Sequence, residues 1–426
     1  MLEYKEMKTT KDRFTTLLTH PTLKKLSWYT LAQIVVQSVG FLSAVIVSRY
    51  LGPVNLGFYS FALNYVGATL AVVAGMDFYY VWKLAKTTEK EKEVFTFIGH
   101  KINTYLVLIF FGTLFAYFYV PETIVTFVFI ILLPSVLQSF SVFTLYTAAT
   151  ERARLLSMTQ ITSSVLLFFC KVILVQLHAP LYAFIIIASI DLVINGLILF
   201  FYFIRKELWR KIFVEQTFPR LQETFSFILS IKTSIVALGS WQLLLRVDQL
   251  VLATVANANT LGLYFASTKI AEMPNFLAGV LSTALIQKIS HASINTSLEN
   301  KKRLQSLVAI FFVVGALIAI SIILFAPIIV SILYGETFKG ATSILRVYSL
   351  SIPPLFLNYL FLGIFGSKEK HTLQMLVFVT SLAVNATLVV LLTPLWGAKG
   401  AALGTVVAYS CSALFFYLAL LKEKSA

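Results

Sequence analysis

The chain has 426 residues, 58% of them hydrophobic and 12% charged, with a mean hydropathy of +0.85. A soluble protein carries about 25% charged residues, so this composition excludes a soluble enzyme or nucleic-acid-binding domain despite a net charge of +15. Two cysteines, Cys170 and Cys411, each inside an apolar run, exclude a disulfide framework or a cysteine metal site.

A helix needs about 20 apolar residues to cross the hydrocarbon core. Twelve such runs are predicted, at 28–48, 56–76, 102–120, 123–147, 157–177, 181–204, 228–255, 260–287, 305–326, 341–366, 373–393 and 398–421, with 327–340 ambiguous. The first 27 residues are polar and basic without a cleavable signal pattern, which places them in the cytoplasm with the first span directing insertion. With that orientation, 26 of the 34 Lys and Arg residues fall in cytoplasmic segments, including five in 83–101. Only Arg49, Lys339 and Lys399 fall in outside loops. The alternation obeys the positive-inside rule and puts both ends inside. Outside loops such as "VPETI" and "LHAP" are short, so chemistry is left to the membrane interior.

In chain order, span 1 carries Gln37 and ends in "SRYLGP", where Arg49 either meets a departing head group or anchors the interface. Span 2 carries Tyr59 and ends near Asp77. Span 5 carries Lys171, which either snorkels or pairs with Asp191, deep in span 6. Asp191 is otherwise a candidate for proton coupling, because desolvation favours a neutral carboxyl. A basic stretch, 205–227, then joins an N-terminal lobe, 28–204, to a C-terminal lobe, 228–421, followed by a cytoplasmic tail, 422–426.

Span 7 contains "LLLRVDQLVLATV", an apolar run that carries two ionisable residues, Arg246 and Asp248. About eleven strong apolar residues favour its insertion by about 0.3–0.6 kcal/mol each, against about 2.5–3.5 kcal/mol each for Arg246 and Asp248. A balance near zero means that the polar face looks into protein or water. On one helix, residues two apart point about 200° away from each other. Arg246 shares a face with Gln242 and Gln249, whereas Asp248 lies with Trp241 and Leu244. This assigns Arg246 to a cavity and Asp248 to a neighbouring helix; alternatively both make structural pairs. In span 8, Lys269 and Glu272 lie about 12 and 16 Å deep at 1.5 Å per residue. Three residues apart, they either neutralise each other or leave Lys269 to reach an anion, ahead of a kink at Pro274.

"NLGFYSFALNYVGATLA" (55–71) repeats as "TLGLYFASTKIAEMPNFLA" (260–278) at an offset of 205, which equates Gly57 with Gly262, Tyr59 with Tyr264 and Gln37 with Gln242. Six intervening spans make the repeat parallel, with a pseudo-two-fold axis along the membrane normal. The expected fold is all-α and polytopic: two six-helix lobes facing each other across a central cavity. Tyr59 and Tyr264 are expected near its outer part, where they could stack on sugar.

"SRYLGPVNLGFYSFALNY", "RVDQLVLATVANANTLGLYFASTKIAEMP" and "LTPLWGAKGAALGTVVAYS" resemble the polysaccharide transporters of the multidrug/oligosaccharidyl-lipid/polysaccharide (MOP) exporter superfamily, O-antigen-type flippases in particular. The resemblance implies a V-shaped pair of lobes, with spans 1, 2, 7 and 8 lining the cavity, and alternating access. It also implies an undecaprenyl-pyrophosphate-linked oligosaccharide as substrate, carried across the cytoplasmic membrane for surface polysaccharide assembly. Arg246 and Lys269 are then the phosphate ligands, since Arg suits phosphate by charge-assisted bidentate hydrogen bonds. Gln37, Gln242, Gln249, Arg49, Tyr59 and Tyr264 are further substrate candidates; Asp248, Glu272, Asp191 and Lys171 are coupling or structural charges. No GxxxxGK[ST] motif is present, so energy comes from the membrane potential, a coupling ion (H+ or Na+) or removal of product. No cofactor or metal is implied; the bilayer and other polysaccharide assembly proteins are the remaining partners. The alternatives are a drug/cation antiporter of the same superfamily and a membrane polymerase or ligase. The second of these lacks the outside loop it would need.

Overall fold

The computed structural model describes residues 21–150, 152–206, 218–282, 298–368 and 370–422. The expected N-terminal segment before Pro21, residues 207–217 of the basic stretch 205–227, the end of span 8 and the tail after Lys422 lie outside the described residues. Those described are helical almost throughout, and none forms a strand.

The chain begins with α1 (Pro21–Thr69), which is two helices merged across a break at Gly52. Gly52 has φ +70°, a left-handed conformation that costs glycine little, and Pro53 starts the next helix with no amide to satisfy. The expected spans 28–48 and 56–76 therefore fall on the two halves of α1, the second running on into α2 (Ala71–Lys86). Then come α3 (Lys90–Tyr119), α4 (Glu122–Leu132), a 3-10 segment (Leu133–Ser141), α5 (Val142–Ala149), α6 (Ala153–Gln176) and α7 (Leu181–Ile204).

The second half of the chain opens with α8 (Leu221–Ser230), bent by 80° against α9 (Lys232–Leu244), then α10 (Val247–Val255) and α11 (Ala258–Glu272). After it lie α12 (Leu298–Tyr334), α13 (Ala341–Tyr348), α14 (Ile352–Ser367), α15 (His371–Trp396) and α16 (Ala398–Lys422). The ambiguous stretch 327–340 extends α12 through Pro327 to Tyr334 and then turns at Glu336–Phe338. Among the described residues nine helices are long and apolar enough to cross a membrane, or ten if the α8–α9 pair counts as one. The Thr30–Thr69 helix, with its Gly52 break, is counted once in that number.

Buried apolar side chains gather in separate cores. The largest is built on α9 to α16 around Trp241, Tyr264, Phe356, Phe378 and Phe416. Others lie within the first half, around Tyr80, Phe143 and Phe203, and around Tyr65, Ile131 and Ile185. The two halves meet along the second part of α1 and α2 on one side and α9 to α11 on the other. Ile231 and Ile235 belong to a core of the first half, because Gly75 leaves no side chain between α2 and the Ile235 backbone. The described part of the inter-half stretch is tied to α3 as well: Asn103 Nδ2 donates to the Pro219 carbonyl (2.9 Å) and to Thr224 Oγ1 (2.9 Å).

Lys101 corrects the loop reading. Counted with the cytoplasmic stretch 83–101, it is instead fully buried on α3, with Nζ donating to Asp77 Oδ1 (2.8 Å) and Ser141 Oγ (2.7 Å). An ammonium without such partners would be expelled by desolvation; the partners come from α2 and the 3-10 segment. Removing Asp77 strands a buried cation, whereas removing Lys101 leaves a carboxylate that water still reaches. Asp77→Ala is therefore expected to cost about 3 kcal/mol and Lys101→Met about 1 kcal/mol, read as melting temperatures in detergent; an inverted order would contradict this arrangement.

Candidate functional site

Span 7 is broken where its charges lie. α9 ends at Leu244, and Arg246 takes φ −133°, ψ −17° before α10 begins at Val247. The break is a tightened turn, with Arg246 N donating to the Leu243 carbonyl (2.9 Å) and Gln249 N to the Arg246 carbonyl (3.1 Å). The sequence pattern suggested one continuous helix; the structure adds a break that further separates Arg246 from Asp248.

Asp248 turns into the C-terminal core and is fully buried. Its carboxylate receives the Tyr264 hydroxyl (2.6 Å), the Thr405 hydroxyl (3.1 Å) and its neighbour Gln249 N (2.8 Å). Asn385 completes the group: its Oδ1 accepts from Thr405 (3.4 Å) and its Nδ2 donates to the Leu244 carbonyl (3.4 Å), bracing the broken end of α9. No cation pairs with Asp248 within 4 Å among the described residues; hydroxyl and amide donors replace the water it has lost.

Arg246 turns the other way, into a cavity between the halves. Nη1 donates to the Gln242 carbonyl (2.9 Å) and to Gln242 Oε1 (2.8 Å). The remaining guanidinium donors make no hydrogen bond among the described residues. The cavity has a main chamber of about 460 Å³ and an adjoining one of about 370 Å³; Arg246, Lys269, Asn64, Gly40 and Ala44 line both. The main chamber also takes in Tyr59, Gln242, Lys171 and Asp191, and the adjoining one Gln37, Gln249 and Glu272.

The other charges on the wall are paired. Lys171 Nζ lies 3.0 Å from Asp191 Oδ2, and Lys269 Nζ 3.8 Å from Glu272 Oε2. Lys269 also sits 4.9 Å from the centre of the Phe265 ring, within cation–π range, and Tyr348 donates to Glu272 Oε1 (3.3 Å). Two cations and two carboxylates thus balance, and Arg246 carries the charge left over. Among the described residues no three His, Cys, Asp or Glu side chains gather as a metal site.

Two candidates stand elsewhere. Arg49 is exposed at the end of the first half of α1 and lines neither chamber. Tyr264, expected beside the cavity by its equivalence with Tyr59, is fully buried against Asp248. The reason is chemical: the repeat offset equates Asp248 with Ser43, so only the second half has a carboxylate that calls a tyrosine inward. Sequence reasoning also passed over Asn64, whose Nδ2 donates across the halves to Gln249 Oε1 (2.7 Å), and Gln138, which lines the main chamber. For Asn64 the signal was present, since the same offset pairs it with Lys269. For Gln138, inside an otherwise apolar run, there was none.

Residues 22–290 match the family described as "Polysaccharide biosynthesis protein". No match was found among curated protein sequences. Among solved structures, the chain is similar to the lipid II flippase MurJ in an inward closed conformation, with 16% identity, TM-score 0.71, and 92% of this chain and 87% of that one covered. It is also similar to an inward-facing multidrug resistance MATE family transporter of the MOP superfamily, with 15% identity, TM-score 0.70 and coverage of 93% and 98%. A third is a MOP superfamily transporter from Pyrococcus furiosus, with 16% identity, TM-score 0.63 and coverage of 98% and 99%. At these identities the likeness is one of fold.

Asp248→Ala leaves the Tyr264 hydroxyl without its acceptor in a closed core and opens a small void beside it, and is expected to cost about 3 kcal/mol. Asp248→Asn, which keeps one acceptor oxygen, should cost distinctly less. Melting temperatures that fail to separate the two would show that the donors are satisfied some other way.

Proposed function

Because the chain belongs to the polysaccharide biosynthesis protein family of MOP exporter transporters, we propose that it is a flippase for a polyprenyl-pyrophosphate-linked oligosaccharide. It takes the head group into the cavity from the cytoplasmic leaflet of the cytoplasmic membrane and releases it on the other side, for assembly of a surface polysaccharide such as O-antigen or capsule. Twelve crossings in two six-helix lobes, with both ends inside, are the topology that goes with this reading; the positive-inside distribution of Lys and Arg supports it.

The observation that carries the proposal is the unpaired guanidinium. In a cavity whose other charges are matched, Arg246 is a fixed cation with donors free for an anion. A pyrophosphate is dianionic or more, offers several acceptor oxygens, and pays heavily for desolvation unless such donors meet it. Lys269 lies on both chambers and is held only loosely, at 3.8 Å, by Glu272. It is the second phosphate ligand: an arriving anion competes with Glu272 for it. Gln37, Gln242, Gln249, Tyr59 and Asn64 offer the neutral polar surface that sugar hydroxyls require. The polyprenyl tail remains in the bilayer. Asp191 with Lys171, and the Asp248 group, are the acidic positions where an H+ or Na+ gradient could be coupled to rocking of the lobes.

The MATE likeness and the cavity carboxylates Asp191 and Glu272 favour a second reading, a drug/cation antiporter. It is weaker because each carboxylate already faces a lysine, so a cationic drug would have to displace one.

Deletion in the native host should accumulate lipid-linked oligosaccharide on the cytoplasmic side; retained drug with a normal surface glycan would instead point to the antiporter. Arg246→Ala is expected to lower head-group translocation about 30-fold or more, from loss of about 2 kcal/mol or more of charge-assisted contact, with normal protein levels. Unimpaired transport by that variant would sink the assignment. Lys269→Ala should give a partial loss, and full activity would reduce Lys269 and Glu272 to a self-neutralised pair.

A further inference from the structure

At one end of the cavity the two halves approach backbone to backbone. The second half of α1 starts at Pro53, just after the Gly52 break, and α11 starts at Ala258, capped by Asn257 Oδ1 accepting from Thr260 N (2.9 Å). The first turns of these two helices cross. A Cβ placed on Gly57 would collide with the Ala258 carbonyl, and one on Gly262 with the Pro53 carbonyl. The Gly262 position also lies 3.0 Å from Gly57 N. Because the colliding atoms are main chain, no rotamer change could make room.

The repeat offset of 205 equates Pro53 with Ala258 and Gly57 with Gly262. The two collisions are therefore one contact used twice about the pseudo-two-fold axis. Their buried neighbours Leu56 and Leu261 are equivalent as well. The main chamber runs up to this crossing, for Val47, Ser48, Leu56 and Tyr59 line it.

At the other end the close approach is not built from a matched pair of glycines: Gly75 meets the Ile235 backbone, and the offset equates these two positions with Val280 and Thr30, both of which carry side chains.

We propose that Gly57 and Gly262 form a backbone latch that seals the outer mouth of the cavity, and that the missing side chain at each sets the balance between inward-facing and outward-facing states. Alternating access requires that this crossing come apart once per cycle. A side chain at either position wedges it open, and once it is open the second side chain meets nothing. Effects of the two substitutions must then be strongly sub-additive, whereas independent packing damage at two sites would add. The proposal holds whichever substrate the cavity carries.

The test uses the full chain with Cys170 and Cys411 replaced by Ala and a single cysteine at Ala44, which lines both chambers. A membrane-impermeant maleimide is applied to intact cells. Gly57→Val and Gly262→Val are each expected to raise outside labelling about 10-fold, equivalent to a shift of about 1.4 kcal/mol, and the double variant no further. Unchanged labelling in a variant with normal protein level and melting temperature would overturn the latch, as would labelling that adds in the double variant. Should the valine variants fold poorly, Gly57→Ala and Gly262→Ala can be measured by pulsed EPR between spin labels at Val54 and Asn259, exposed mates on the two helices. A longer, broader distance supports the latch; a distance unchanged from the all-glycine chain refutes it.

Discussion

Hydrocarbon will not accept Arg246 and Asp248, and the chain places both on the first span of its second half. Each charge has been given a different escape. Asp248 is enclosed by hydroxyl and amide donors from α11, α16 and its own backbone, so the C-terminal core is organised around a carboxylate. Arg246 is turned outward, braced by Gln242, into the space between the halves. The break at Leu245–Arg246 lets two side chains so close in sequence serve two compartments, and Asn385 stabilises the carbonyl end that the break exposes.

The cavity follows from that division. Its walls pair Lys171 with Asp191 and Lys269 with Glu272, so the walls are polar yet balanced, and the excess charge falls on one guanidinium. The surrounding helices meet where glycines permit it: Gly75 against Ile235, Gly57 against Ala258, Gly262 against Pro53. These are close approaches between rigid backbones, suited to rocking as blocks rather than to deformation. Lys101 and Asp77 reinforce the first half in the same sense, by fixing α3 to α2 and to the 3-10 segment before α5.

Much of this was legible in the sequence because membrane insertion leaves few alternatives. Apolar runs located most of the helices, and the gap between the runs 28–48 and 56–76 holds the Gly52 break. The break beside Arg246 was not legible, since no glycine or proline marks it and its cause is tertiary. Lys101 was read as a loop charge because it adjoins a run of them; its partners lie 24 and 40 residues away and only folding brings them near. The repeat equates Tyr59 with Tyr264 in sequence, but the two differ in surroundings, because Ser43 stands where the second half has Asp248. Lys269 and Glu272, three apart on one helix, needed no tertiary knowledge. Asn64 was within reach through its equivalence with Lys269, but its partner Gln249 was not, because it comes from the other half.

The central claim is that the cavity carries an anionic, lipid-linked head group past Arg246. Its most direct test is reconstitution of the purified protein into liposomes holding a fluorescent polyprenyl-pyrophosphate oligosaccharide, with an impermeant quencher added outside. The expected result is that the inner-leaflet fraction becomes quenchable with time, and that Arg246→Ala liposomes retain it. An inner-leaflet fraction that stays protected in liposomes that exchange organic cations would contradict the account.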